Sequence, residues 1–225
     1  MNAVVALVTK PEAKTGFVRW PLLILGLCGL AIFGALALYA AGHTYMPFDV
    51  SLERWIQTLE WGPLVSVFKW FDWLEGTRQT IAGVGVILLV TAFNWRNAPL
   101  AIVAAASTVI YIVTETAIQR PRPSADLVQV VRHTGGNSFP SGHVVFFSWV
   151  LVLLVVCLAW RLPRPLVVAA SVIGAGVLVL ACIGRIYLGE HWPSDVLAAL
   201  ALGLGWTALA LSIRLVSKPA LARSK

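Results

Sequence analysis

The chain has 225 residues, of which 59% are hydrophobic and only 12% charged. Soluble domains carry about a quarter charged residues, so this composition excludes an ordinary soluble fold. The net charge of +7 would suit a polyanion partner, but its distribution follows topology instead. Lys10, Lys14, Arg19, Arg96, Arg161, Arg164, Arg214, Lys218, Arg223 and Lys225 fall at every second end of long apolar runs, the pattern of the positive-inside rule. Arg54, Lys69, Arg78, Arg120, Arg122, Arg132 and Arg185 fall at the opposite ends. No nucleic-acid partner is expected, and both termini are expected in the cytoplasm.

Residues 1–20 read as a basic cytoplasmic tail. The apolar block 21–42 follows a basic lead-in and holds Ala35-Leu36-Ala37, as a cleavable signal does. Its apolar stretch is longer than a signal core, so it reads as a retained helix. Segment 43–76 mixes apolar and charged residues at spacings of three and four and holds four tryptophans, Trp55, Trp61, Trp70 and Trp73. That pattern predicts an interfacial amphipathic helix, an aromatic anchor at headgroup level that can also guide a lipid tail.

Blocks 78–95 and 98–118 come next. Loop 124–139 turns at Gly135-Gly136-Asn137, with Arg132 and His133 expected in solvent. Blocks 141–160, 166–187 and 193–215 complete the set, and 216–225 is a second basic tail. Each block is about as long as a helix needs to cross a bilayer. The fold expected is an all-α membrane protein, one domain over 21–215 with six transmembrane helices. Cys28, Cys157 and Cys182 lie inside blocks without metal-binding spacing and read as small core hydrophobes.

Three short stretches at the outer block ends carry chemistry: Arg120-Pro121-Arg122-Pro123, Ser138-Phe139-Pro140-Ser141-Gly142-His143, and Arg185, His191 and Asp195. Hydrolysis of a phosphate ester through a covalent intermediate needs a nucleophile, a group to orient it, cations for the equatorial oxygens and an acid for the leaving alkoxide. His191 and Asp195, four apart at a helix start, are expected on one face and hydrogen-bonded, so that one ring nitrogen is fixed and the other attacks. A plain helix-end pair or two metal ligands are the other readings. No His-Glu-x-x-His occurs, which argues against a zinc protease.

Ser141, Gly142 and His143 open a helix whose N–H groups suit an anion; the Ser141 hydroxyl adds a donor and His143 an acid. Arg122 and Arg185 suit a phosphate as forked donors, although Arg185 can pair with Asp195 or Glu190 instead. Arg120 is a candidate third clamp or headgroup contact.

In this order the three blocks resemble the type 2 phosphatidic acid phosphatase superfamily, which is similar to vanadium haloperoxidases around the site. The resemblance spans 115–195, and the six-helix plan extends it over most of the chain. It implies His191 as nucleophile, Asp195 as its partner, His143 as general acid, and Arg122, Ser141, Gly142 and Arg185 as the phosphate pocket. No metal or cofactor is implied. It also implies a membrane lipid with a terminal phosphate or diphosphate as substrate: phosphatidic acid, phosphatidylglycerol phosphate or a polyprenyl diphosphate.

The chain departs from the pattern twice. Gly184 stands where a serine usually precedes the arginine of the third block. Glu115 stands where a lysine usually precedes the first block, and unit charges about 4 Å apart interact by roughly 4 kcal/mol at a surface-like dielectric. The function expected is a metal-independent lipid phosphate phosphatase at the outer face of the cytoplasmic membrane. Short loops and small size suit a bacterial protein. A phosphotransferase would use the same site, and Glu115 motivates a rival of another class, a catalytically weak lipid-phosphate binder.

Overall fold

The computed structural model describes residues 17–159 and 162–221, with side chains to 217. Lys10, Lys14, Arg161, Arg223, Lys225, most of the first predicted tail and the end of the second lie outside the described residues. The regular elements described are helical: α1 (Trp20–Ala40), α2 (Asp49–Thr58), α3 (Leu64–Trp73), α4 (Thr77–Phe93), a 3-10 turn (Trp95–Asn97), α5 (Ala98–Ala105), α6 (Ser107–Ile118), α7 (Gly142–Leu158), α8 (Arg164–Tyr187), α9 (Pro193–Ser212) and α10 (Arg214–Leu221).

Each predicted apolar block is helical. Four are long and apolar enough to cross a membrane: α1, the run Trp95–Ile118, α8 and α9. The other two, α4 and α7, are shorter at 17 residues each, and α4 meets α3 at an 85° bend through Gly76 at φ +56°. Prolines in the first turns of α1, α5, α8 and α9 set helical φ where no N–H is needed.

Helix α7 is the axis of the molecule, buried without a break from His143 to Val150. Helix α9 packs against it on one side and against α1 on the other. The α1–α9 crossing depends on missing side chains: a methyl on Gly29 would stand 2.8 Å from the Gly205 Cα. Cys157 and Cys182 are core residues as expected, whereas Cys28 is exposed on α1.

The segment between α1 and α4 differs from a simple amphipathic anchor. It makes two ten-residue helices whose outward tryptophans, Trp55, Trp70 and Trp73, are exposed. Their inward faces carry acids: Asp49, Glu53 and Ile56 on α2, and Phe68, Phe71 and Asp72 on α3, are all buried. At the far end of the bundle, Val18 pairs with Ile213, the Arg19 N–H donates to Ser212 O (2.9 Å) and the Arg214 N–H to Phe17 O (3.0 Å). That end holds Arg19, Arg96 and Arg214, and the three motif blocks gather at the other.

Candidate active site

Backbone bonds bring the blocks together. Helix α6 ends at Ile118, Gln119 turns at φ 51°, and the prolines hold residues 120–123 extended. The Ser138 N–H donates to Arg120 O (2.8 Å), joining the first block to the second. The third block is set by Gly189 at φ +72°, where a Cβ would stand 2.4 Å from Gln129 O. Only glycine fits that conformation and that approach. Leu188 O meanwhile accepts from the N–H groups of Val131 (3.0 Å) and Arg132 (3.2 Å).

His191 is buried, and its Nδ1 lies 2.7 Å from Ser138 O. A carbonyl only accepts, so Nδ1 carries the proton and the lone pair of Nε2 faces Arg122 Nη1 at 3.4 Å. Burial, then the charges of Arg122 and Arg185, hold the imidazole pKa well below its usual 6.5. The ring is therefore neutral.

Asp195 does not orient this ring directly. Helix α9 starts at Pro193, so His191 precedes it and the four-residue helical spacing does not apply. The Asp195 carboxylate instead accepts from the Ser138 hydroxyl, from Arg120 Nη1 and from the Trp192 N–H (2.9 Å). It holds the residue that holds His191. Arg120 is no phosphate clamp either. It is fully buried, and its donors go to Asp195, the Ser194 hydroxyl (2.8 Å), Asp49 (3.1 Å) and Thr44 O (2.9 Å).

Asp49 on α2, absent from the motif reading, also accepts from the backbone N–H and hydroxyl of Ser194 (2.8 and 2.7 Å), at the first turn of α9. One turn on, Glu53 is fully buried with both oxygens unpartnered. Burial, reinforced by the negative charges of Asp49 and Asp195, raises its pKa to about 9, so it stays a neutral acid near neutral pH.

Beside His191 lie the predicted pocket residues. Ser141 caps α7, and its Oγ is buried without a partner. The Nε2 of His143 is likewise unpartnered, while its ring donates to Leu74 O. Arg122 donates to Glu190 O (2.7 Å) and Gly135 O (3.1 Å); burial lowers its pKa, opposed chiefly by Glu190 and Glu115. Arg185 is buried and paired through Nη1 with Glu190 (2.6 Å) and Asp72 (3.0 Å), and its Nε lacks a partner. Arg132, expected in solvent, instead pairs with Asp72 and with Glu75 (2.9 Å).

Both departures have local consequences. A methyl on Gly184 would stand 3.0 Å from the Phe68 ring, so the glycine leaves room for α3 to pack on α8. Glu115 does not pair with Arg120. It interacts with Tyr111 and lies within charge range of Arg122.

The sequence profile of the PAP2 superfamily matches residues 96–218. An Escherichia coli K12 protein named "Putative undecaprenyl-diphosphatase YbjG" is 27% identical over 149 residues, covering 63% of this chain and 61% of that protein. Phosphatidylglycerophosphatase B of the same organism is 36% identical over 85 residues, 37% of this chain and 30% of its own length. The chain thus matches less than two thirds of either relative. Among solved structures, the transmembrane PAP2-type phosphatidylglycerolphosphate phosphatase of Bacillus subtilis superposes with a TM-score of 0.63 at 22% identity, over 80% of this chain and 92% of that one. Aquifex aeolicus LpxE gives 0.56 at 22% identity, over 72% and 93%. These likenesses establish the fold.

Two substitutions test the buried charges. Asp49→Ala leaves part of Arg120 and the start of α9 unpartnered, and should cost about 3 kcal/mol or more in unfolding titrations of the purified protein in mixed micelles. Glu53→Gln tests the neutral acid. The folded carboxyl keeps its proton to about 9, whereas the unfolded one loses it above 4.5, so the wild type should lose stability as pH rises between these values. Each pH unit there costs up to about 1.4 kcal/mol, and the amide variant should show a flatter profile in the same titrations.

Proposed function

The chain belongs to the PAP2 superfamily, and from that premise we propose that it is a six-span membrane phosphatase that removes a terminal phosphate from a lipid through a phosphohistidine on His191. The observation that carries this reading is a convergence of unsatisfied groups. Buried polar atoms are rarely left without partners, yet Ser141 Oγ, His143 Nε2 and Arg185 Nε all are, on residues that share this end of the bundle with His191, whose Nε2 meets only Arg122. A protonated phosphate ester supplies acceptor oxygens for Ser141 Oγ and Arg185 Nε and a proton for His143 Nε2.

With phosphate in that space, the helix N–H groups, Ser141, Arg122 and Arg185 hold the equatorial oxygens. His191 Nε2 attacks phosphorus as the ester bond to the lipid oxygen breaks. The leaving alkoxide takes a proton from His143 Nε2, which receives it from the incoming phosphate monoanion. Water, deprotonated by the same nitrogen, then attacks the phosphohistidine, breaks the N–P bond and frees inorganic phosphate. No step requires a metal or cofactor. Asp195 acts as a positioning residue through Ser138.

Arg19, Arg96, Arg164 and Arg214 mark the cytoplasmic end, so the site opens at the outer face of the membrane, with α2 and α3 lying at the interface. A bacterial cytoplasmic membrane suits the relatives. The substrate class is a lipid mono- or diphosphate.

Purified protein in detergent with chelator should release phosphate from phosphatidic acid, phosphatidylglycerol phosphate or undecaprenyl diphosphate, and His191→Ala should abolish release. Turnover that persists in His191→Ala, or that chelator removes, contradicts the mechanism. His143→Gln should slow lipid hydrolysis by about 10²- to 10⁴-fold, and much less with p-nitrophenyl phosphate, whose leaving group needs no proton.

A further inference from the structure

Resting on the phosphatase reading above, we propose that Glu115 selects the substrate by receiving an ammonium group carried beside the scissile phosphate. Tyr111 and Glu115 lie one turn apart on α6. The Tyr111 ring covers the first turn of α7 so closely that a Cβ on Gly142 would stand 2.8 Å from its Cζ and 2.9 Å from its hydroxyl. Tyr111 therefore walls the phosphate cradle, and its hydroxyl hydrogen-bonds to Glu115. On the other side, Gly136 approaches until its Cβ position lies 3.7 Å from Glu115 Oε1, while the Asn137 side chain donates to Glu115 O (3.2 Å). The carboxylate is half-buried at the rim of the pocket.

Most of the acids around the site are already paired. Asp49 and Asp195 pair with Arg120, Asp72 with Arg132 and Arg185, Glu75 with Arg132, and Glu190 with Arg185. Among the described residues, Glu115 has no such salt bridge. Carboxylates already outnumber the guanidiniums of Arg120, Arg122, Arg132 and Arg185 there, so a bare phosphate dianion meets repulsion at this rim. A lipid phosphate with an amine two carbons from its ester oxygen would set a cation against Glu115 with the phosphate against Arg122 and Ser141. The class implied is a lipid phosphate monoester with a free amine next to the phosphate.

The test uses a matched pair, sphinganine 1-phosphate and its N-acetyl derivative, with wild type, Glu115→Gln and Glu115→Lys in detergent. Wild type should prefer the free amine about tenfold in kcat/KM; Glu115→Gln should bring the ratio near one, and Glu115→Lys should invert it. The same pair is bound to His191→Ala by calorimetry, so the ratio is read without turnover. Loss of turnover in His191→Ala bears on the phosphatase reading, and the ratio bears only on Glu115. A wild-type ratio near one, a preference that survives in Glu115→Gln, or a preference for the N-acetyl lipid that depends on Mg²⁺ overturns the proposal.

Discussion

An ionised carboxylate sealed from water is costly unless it is paired, and Asp195 is fully buried at the junction of all three sequence blocks. Its oxygens take Arg120 from the first block, the Ser138 hydroxyl from the second and the Trp192 N–H from the third. Arg120 is itself sealed, so it needs further acceptors, and Asp49 supplies one while also holding the start of α9. Breaking a buried pair on one side typically costs about 3–5 kcal/mol, so these groups stand or fall together. The reactive geometry follows from them: with Ser138 pinned, its carbonyl sets the proton of His191 on Nδ1 and turns Nε2 toward Arg122.

The electrostatics of the pocket follow from the same enclosure. Burial and two arginines keep His191 neutral. Burial also raises the Glu190 pKa, against the pull of Arg185, Arg132 and Arg122. Arg185 sits in a ladder of alternating charges running from Glu190 through Asp72 and Arg132 to Glu75. Its rotamer is thus fixed by the protein's own charges, so the proposed phosphate would meet it already ordered.

The apolar blocks and the three motifs were legible because bilayer length and the PAP2 family pattern impose them directly. Helices fell where hydropathy put them, and His191, His143, Ser141, Arg122 and Arg185 gather at one end. What sequence missed is tertiary. Asp49 and Asp72 looked like the wet face of an interfacial helix, because charged residues between tryptophans normally face water. Here the tryptophans face out and the acids face in, drawn by the guanidiniums of Arg120, Arg132 and Arg185. The signal was present as Asp49, Glu53 and Ile56 on one helical face, but its direction depended on partners more than 70 residues away in the chain. The His191–Asp195 pairing was misread for a local reason: Pro193 starts the helix two residues too late for that spacing to act. Gly184 becomes intelligible only with Phe68 packed upon it.

Under the proposed mechanism, phosphorus is transferred to one nitrogen of one histidine. Rapid quench of the purified protein with a phosphorus-labelled lipid phosphate, followed by mass spectrometry under alkaline conditions, tests it most directly. The account predicts an acid-labile phosphoryl group on Nε2 of His191. Label on Nδ1 or on another residue, or an unlabelled enzyme whose reaction inverts the configuration at phosphorus, would contradict it.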